Sequence, residues 1–398
     1  MTIDSNRNAT SQCLVLKDFE REAKKKLPKH IYEYVVSGAG DEQCVRANTR
    51  IFQTLFIIPR VLSSCSEPKT SLKVGKTHLS FPFLVAPFGV HKLVHPQGEE
   101  ATALACLDEG ITLGISQHAT VRLEQVRQVA AKGSHWFQCY ILKDRKITLR
   151  LVKRAEEVGY EALVITIDSP IFGYRPIDTR NGFQRLPNGL HYENYDDEDK
   201  KIYAFANEGD TGGFDDYIDK IFDANITWND VCFVKQHTRL PVFLKGIQSV
   251  EDALLAHKYG FSGIIISNHG GRQLGSAVPT LQCLPTIVQA VRRQLKQENF
   301  PILIDSGFRS GEDIIKALAL GADAVCIGRP ILWGLACNGI IGVKKVLGIL
   351  KREFIDGMKL SGCSSLEDIR KLQLISKRKF AKNRKNASSN CNGKLCKL

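Results

Sequence analysis

Short apolar, β-branched runs recur along the chain at 83–86, 112–116, 136–140, 163–168, 242–245, 263–267, 302–305 and 324–328. Segments with helical spacing lie between them at 99–109, 147–158, 250–259, 281–296 and 313–320, several closing on a glycine before the next run. Alternating strand and helix predicts an α/β fold, and runs this purely apolar suit parallel strands covered on both faces. Numbered β1 to β8 in chain order, the eight runs favour a closed (β/α)8 TIM barrel over the open doubly wound sheet that the same alternation also permits.

Ahead of β1, an amphipathic stretch at 16–37 reads as a helical pair stopped by Gly38 and Gly40. After β4 the rhythm breaks. Residues 181–225 are polar, Gly-rich and acidic, with Tyr195-Asp-Asp-Glu-Asp-Lys200 at their centre. A loop of that length between β4 and the fourth barrel helix is expected to lie over the active-site mouth and to be mobile. The expected organisation is therefore a polar N-terminus at 1–15, one barrel domain at 16–365 and a basic tail at 366–398.

Charge changes this picture little once it is located. The chain has 398 residues and a formal net charge of +13, but ten Lys/Arg and no acid fall within 370–398, which leaves the body near neutrality. A solvated terminus accounts for such a tail, so no nucleic-acid partner is expected. The 12 cysteines show no C-x-x-C pair and no zinc spacing, so neither a disulfide framework nor a metal site is expected. The N-terminus lacks a long apolar run, and no membrane span or secretory segment is expected. Gly75-Lys76-Thr77 lacks the first glycine of a phosphate loop, and His91 with His95 lacks the glutamate of a zinc protease.

Chemistry is expected where polar residues terminate the strands, because barrel enzymes build their sites there. Ser116, Gln138 with Tyr140, Thr166 with Asp168, Lys245, Ser267 with His269, Asp305 with Arg309, and Arg329 all fall at strand ends. The glycine-bearing Asp305-Ser-Gly-Phe-Arg309 and Gly328-Arg329 follow β7 and β8, where barrels commonly hold a phosphate. Lys245 ends an apolar strand and needs either an anion or a shifted pKa. In Ser267-Asn-His-Gly-Gly-Arg-Gln-Leu274 an imidazole able to act as a base sits three residues from a guanidinium able to clamp a carboxylate.

That turn, together with Ala317-Leu-Ala-Leu-Gly-Ala-Asp-Ala-Val-Cys-Ile-Gly-Arg-Pro330, resembles the FMN-dependent 2-hydroxy-acid oxidases typified by glycolate oxidase, and the resemblance runs from Leu27 to Cys363. It implies FMN at the barrel mouth and oxidation of an (S)-2-hydroxy acid to a 2-oxo acid, with O2 reduced to H2O2. By the same resemblance His269 takes a substrate proton, either from Cα to leave a carbanion or from the hydroxyl as hydride departs. Asp168 stabilises the imidazolium, Tyr140 bonds the substrate hydroxyl, and Tyr34, Arg175 and Arg272 hold the carboxylate. FMN is implied on Pro87, Phe88, Gly89, Ser116, Gln138, Thr166, Lys245, Ser267, Asp305, Ser306, Gly307, Phe308, Arg309, Gly328 and Arg329, with Lys245 beside the reduced ring. A homo-oligomer, a tetramer by resemblance, is implied too. Two other readings stay open: a dehydrogenase that passes electrons to a carrier, and a catalytically impaired flavin-binding barrel.

The family usually has Ala-Pro-Thr-Ala where this chain has Ala86-Pro-Phe-Gly89, Trp at His118, Asp-Gly-Gly at Asp305-Ser-Gly307, and Asp at Gly275. Gly89 and His118 predict a roomier pocket and a substrate larger than glycolate, unless Phe88 fills the space. The final Cys396-Lys397-Leu398 fits the small-basic-Leu address read by the peroxisomal import receptor, so a peroxisomal location is expected.

Overall fold

A computed structural model describes residues 10–183, 185–187, 189–196, 220–295 and 300–377. Its strands β1 Phe83–Phe88, β2 Leu113–Ser116, β3 His135–Cys139, β4 Ala162–Thr166, β5 Val242–Ile247, β6 Gly263–Ile266, β7 Ile302–Ile304 and β8 Ala324–Ile327 close into a parallel barrel. Closure is made by β8 on β1, with Val325, Cys326 and Ile327 opposite Phe83, Leu84 and Val85. The open sheet is thereby excluded. Helices α1 Gly98–Glu109, α2 Leu123–Val129, α3 Arg145–Glu157, α4 Trp228–Gln236, α5 Val250–Lys258, α6 Thr280–Leu295, α7 Gly311–Ala319 and α8 Arg329–Ser361 surround it.

The apolar runs are continuous because both faces are covered. Leu84, Trp136, Val164, Phe243, Ile265 and Leu303 form one cluster with Val74 and Leu79 of a hairpin, Leu72–Val74 and Thr77–Leu79, that plugs the floor of the barrel. Trp136 stacks on Phe243 with ring centroids 4.6 Å apart, and its indole N–H donates to Thr77 Oγ1 at 2.9 Å. The alternate residues, such as Phe83, Phe137 and Leu163, pack outward under the helices. Helix starts follow from local chemistry: Asp144, Ser249 and Ser310 each accept a backbone N–H from the first turn of α3, α5 and α7.

The expected N-terminal pair forms as Leu16–Lys26 and Lys29–Val36, and a third helix, Gln43–Arg50, follows it. Helix α8 spans 33 residues, kinked where Asn338 and Gly339 leave helical backbone, and meets the length and hydropathy of a membrane span. However, 67% of its apolar window is buried in the fold, where it packs on α1 and on Leu16–Lys26. Residues 366–376, read above as the start of the tail, instead belong to the body. Helix Leu366–Arg370 starts on Ser365, and Gln373–Ser376 pairs antiparallel with Leu55–Ile58. Strands of four residues carry too little periodicity to announce themselves. The rest of the tail from 378, with Cys396-Lys397-Leu398, lies outside the described residues, as do 197–219 of the long loop.

Candidate active site

The strand ends open into a cavity whose atom-free space, counted out into the solvent at its mouth, is about 1290 Å³, lined by residues from all parts of the chain between Tyr34 and Arg329. On one side stands the His269 turn. His269 has φ +56°, and the two glycines that follow are also left-handed, at +65° and +78°. Glycines tolerate that conformation and a histidine does so only under constraint. The constraint is visible: Ser267 Oγ accepts the His269 backbone N–H at 3.0 Å, and the Asn268 side chain accepts that of Gly271 at 3.1 Å.

The imidazole Nδ1 lies 2.8 Å from Asp168 Oδ1 and 3.2 Å from Ser169 Oγ. An Nδ1–H donated to the carboxylate leaves the lone pair on Nε2. Burial lowers the His269 pKa more than Asp168 raises it, so the ring is a neutral base at neutral pH. Burial of most of its surface opposes the charge of Asp168, yet Lys245 and His269 hold its pKa below the usual carboxylate value. Gly246 makes this packing possible, since a Cβ there would meet Asp168 Cβ at 2.6 Å.

Above the imidazole, Arg175 and Arg272 flank Tyr34, with guanidinium carbons 5.6 and 4.9 Å from its ring centre. Arg272 Nη1 donates to the carbonyls of Tyr34 and Ser37 at 2.7 and 3.1 Å. Arg175 lies 3.2 Å from Asp178 Oδ2 through Nε and 3.6 Å over the Phe172 ring, while its buried Nη2 has no hydrogen-bond acceptor among the described residues. A buried guanidinium nitrogen left without an acceptor calls for a bound anion. Tyr140 stacks beside His269, and burial followed by the Asp168 charge raises its pKa, so the phenol remains a donor.

The opposite wall carries Lys245, whose Nζ lies 3.9 Å from Asp168 Oδ2 and 3.6 Å from Asp305 Oδ2. Burial opposes its charge, but the two carboxylates outweigh burial and raise its pKa. Ser306 holds φ +78° where a glycine would be at ease; its Oγ donates to Asp305 Oδ1 at 2.7 Å and accepts the Gly270 N–H at 3.1 Å. Arg309 stacks over Trp333 at 4.8 Å and donates to the Phe308 carbonyl. Arg329 donates to the carbonyls of Val35, Gly270 and Ser37. Burial lowers the pKa of both arginines, and neither has a carboxylate in ion-pair range among the described residues.

Pro87, Phe88, Gly89, Ser116, Gly307, Phe308 and Gly328 line the same cavity, with the β1 register shifting between Val85 and Phe88. Gln138, Thr166 and Ser267 do not reach its surface. Ser116 Oγ donates to Gln138 Oε1 and Gln138 Nε2 to Thr166 Oγ1, both at 3.0 Å, forming a polar row across the ends of β2, β3 and β4. Ser267 instead bonds Asp305 Oδ2 at 2.9 Å and braces the histidine turn.

Two departures from the family pattern have local causes. A Cβ at Gly275 would sit 2.8 Å from the Ala39 carbonyl oxygen. A Cβ at Gly89 would sit 2.8 Å from the His118 carbonyl oxygen and 3.1 Å from its Cβ, so the space of the missing methyl is taken by His118 and adds no room to the pocket. The His118 ring packs 5.3 Å from Tyr140, 4.6 Å from Tyr192 and 5.9 Å from Phe222. Burial, then His269, lowers its pKa to about 3, so it is neutral. Ser169, Phe172, Tyr192, Phe222 and Gln273 also line the cavity and were not anticipated. Tyr192 and Phe222 come from the described flanks of the long loop.

A family model described as FMN-dependent dehydrogenase matches residues 23–376. Human 2-hydroxyacid oxidase 1 is 40% identical over 358 residues, covering 90% of this chain and 95% of that protein. L-lactate oxidase of a Nostoc species is 41% identical over 364 residues, covering 91% and 98%. A crystal structure of mandelate oxidase with (S)-4-hydroxymandelic acid has a TM-score of 0.85 at 39% identity, covering 91% of this chain and 99% of that one.

Proposed function

The chain belongs to the family of FMN-dependent dehydrogenases and is an FMN-dependent 2-hydroxy-acid oxidase, and from that premise we propose how its own residues divide the work and which acids it takes. The residues suit FMN. Arg309 and Arg329 are half-buried cations facing the cavity without carboxylate partners in ion-pair range among the described residues, as a phosphate requires. A Cβ at Gly328 would meet nothing closer than Ala86 Cβ at 4.0 Å, so the backbone beside them is open to a ligand. Lys245, Ser116 and Pro87 to Gly89 line the cavity and would hold the ring, with Gln138 and Thr166 bracing Ser116 from behind.

FMN when bound accepts two electrons from C2 of the acid and passes them to O2, so that 2-hydroxy acid and O2 give 2-oxo acid and H2O2. Arg175 and Arg272 bind the substrate carboxylate, Tyr34 spaces them, and the Tyr140 phenol bonds the 2-hydroxyl. His269 Nε2 takes the proton that the acid releases, and Asp168 holds the imidazolium that results. The observation that carries this assignment is the single cavity shared by the His269–Asp168 pair, 2.8 Å apart, and the unpaired Arg175 Nη2.

The 2-substituent of the acid faces Phe88, neutral His118, Phe172, Tyr192 and Phe222. That wall is aromatic and brings no cation of its own, so it favours a neutral apolar or aromatic substituent larger than that of glycolate and disfavours a second carboxylate. Oxygen uptake with peroxide detection across glycolate, lactate, mandelate, a long-chain 2-hydroxy acid and malate tests both parts. Highest kcat/KM on the aromatic or long-chain acid is expected; a preference for glycolate or malate overturns the substrate assignment, and flavin reduction without O2 uptake overturns the oxidase. Placement in peroxisomes rests on Cys396-Lys397-Leu398. A fluorescently tagged protein that moves to the cytosol when these three residues are removed supports it, and unchanged localisation refutes it. Sedimentation of the holoenzyme as a single protomer would refute the oligomer.

A further inference from the structure

The helix Gln43–Arg50 lies outside the barrel, yet it presses directly on the catalytic turn. Its Cys44 N–H donates to the Gly275 carbonyl at 2.9 Å, and a Cβ on Gly271 would meet Val45 Cγ2 at 2.7 Å and Val45 N at 2.8 Å. One turn further, Asn48 and Asn268 bond each other reciprocally. Asn48 Nδ2 donates to Asn268 Oδ1 at 2.9 Å, and Asn268 Nδ2 donates to Asn48 Oδ1 at 2.8 Å. Both side chains are buried.

A carboxamide has two N–H donors and two acceptor lone pairs. At Asn268 all four are used: Oδ1 accepts from Asn48 and from the Gly271 backbone, while Nδ2 donates to Asn48 and to the Val278 carbonyl at 3.1 Å. A saturated amide has one orientation. Asn268 precedes His269, and the bond it makes to Gly271 spans the three left-handed residues that aim the imidazole at Asp168. Asn48 supplies two of the four bonds and is the part of the network that the turn cannot provide for itself. Its own carbonyl oxygen also abuts Gly307, where a Cβ would sit 2.1 Å away.

We propose that Asn48 is a positioning residue for the reaction, acting through Asn268 to hold His269 in its left-handed conformation against Asp168. This inference rests on the base assignment given above to His269. Without the reciprocal pair, Asn268 keeps only its bonds to Gly271 and Val278, the amide loses its single orientation, and the histidine can relax toward the extended backbone that a residue with a Cβ prefers. Proton transfer then suffers, while the arginines that bind the acid and the groups that bind FMN remain in place.

The test uses the flavin-loaded enzyme with Asn48→Ala and the near-isosteric Asn48→Asp, which keeps an acceptor but loses the donor. Flavin content, KM, kcat and the anaerobic rate of flavin reduction are measured, with Asn268→Ala and the double variant completing a cycle. We expect kcat and the reduction rate to fall at least 10-fold, KM and flavin content to change less than about 3-fold, and the double variant to be no worse than the worse single one. In flavin-free protein labelled at histidine nitrogen, the His269 Nδ1–H resonance, identified by its loss in His269→Gln, should broaden or vanish in either Asn48 variant. Wild-type kcat in both variants overturns the proposal whatever their melting temperatures, and so does a rate that falls only in step with lost flavin or an unchanged imidazole resonance. A wild-type enzyme that turns over no 2-hydroxy acid is a separate failure, that of the functional reading, and the imidazole resonance still reports on Asn48 in that case.

Discussion

Gly89→Ala separates two accounts of the pocket. If the missing methyl leaves open room, the added carbon narrows the cavity at no cost in stability and shifts preference toward small acids. The structure says otherwise. The new Cβ would lie 2.8 Å from the His118 carbonyl oxygen, 3.1 Å from its Cβ and 3.3 Å from its carbonyl carbon. An ordinary contact of about 3.5 Å requires His118 to retreat by roughly 0.7 Å. That backbone is not free to move, because its carbonyl accepts from the Val90 N–H at 3.0 Å and its N–H is bonded to Ser116 Oγ at 3.1 Å. Overpacking of this kind costs about 1–3 kcal/mol. With about 2.1 cal/mol/K of unfolding entropy per residue and 398 residues, that corresponds to roughly 1–4 °C in Tm. The displaced His118 ring leans on Tyr140, 5.3 Å away, so kcat/KM should fall by a similar factor for every acid. Differential scanning calorimetry and a chain-length series of acids provide the assay. An unchanged Tm with preference moved from long acids to glycolate would refute the steric reasoning.

His269→Gln should lower kcat by about 10²- to 10⁴-fold with little change in flavin content, and near-wild-type kcat would remove His269 as the base. In the wild type, burial sets the His269 pKa below its ordinary 6.5, and the protonated ring cannot accept a proton. The acid limb of kcat/KM should therefore fall below pH 6.5; an acid limb above that value contradicts the reading. Lys245→Met leaves Asp168 and Asp305 buried without their cation, and a loss of about 3–5 kcal/mol is expected in denaturant unfolding. Lys245, with its pKa raised, stabilises fully below about pH 10.4, and Asp168, with its pKa lowered, does so above about pH 3.9. The variant's deficit should thus be flat between those limits, and a deficit that vanishes near neutrality would show that the pair is not charged there. Arg309→Met should erode the preference for FMN over riboflavin by about 10-fold or more, measured by flavin fluorescence quenching; an unchanged ratio would place the phosphate elsewhere.

The barrel was legible because its signal is long and repeated: eight apolar runs, seven of them ended by a polar group, set both the layer architecture and the direction in which the site opens. Arg272 was legible beside His269, but Tyr34 and Arg175 were reachable only through resemblance, since their distance in sequence from Arg272 hides that both guanidiniums converge on the Tyr34 ring. What escaped the sequence is short or relational. Helix Gln43–Arg50 and the Leu55–Ile58 strand pair carry too few residues to show a period, and the bond between Asn48 and Asn268 spans 220 positions. Gly89 misled for the same reason: a missing methyl shows in the sequence, whereas the carbonyl that fills its space belongs to another loop.

The charges around the cavity explain why the N-terminal segment belongs to the site. Lys245, Arg175, Arg272, Arg309 and Arg329 set five cations against the carboxylates of Asp168, Asp178 and Asp305, and His269 is neutral. Carboxylate partners for Arg272 and Arg329 would orient them but cancel the charge that a ligand needs. Instead the carbonyls of Tyr34, Val35 and Ser37 accept their N–H groups. These lie at the C-terminal end of helix Lys29–Val36, where carbonyls lack helical donors and the helix dipole is negative. Partial charges of that kind aim a guanidinium without neutralising it. The two positive charges left in excess then await an acid carboxylate and a flavin phosphate, which would offset the cost of holding the arginines in the cavity wall. The barrel strands supply the reacting groups, and the helix end before residue 38 keeps the binding groups both ordered and charged.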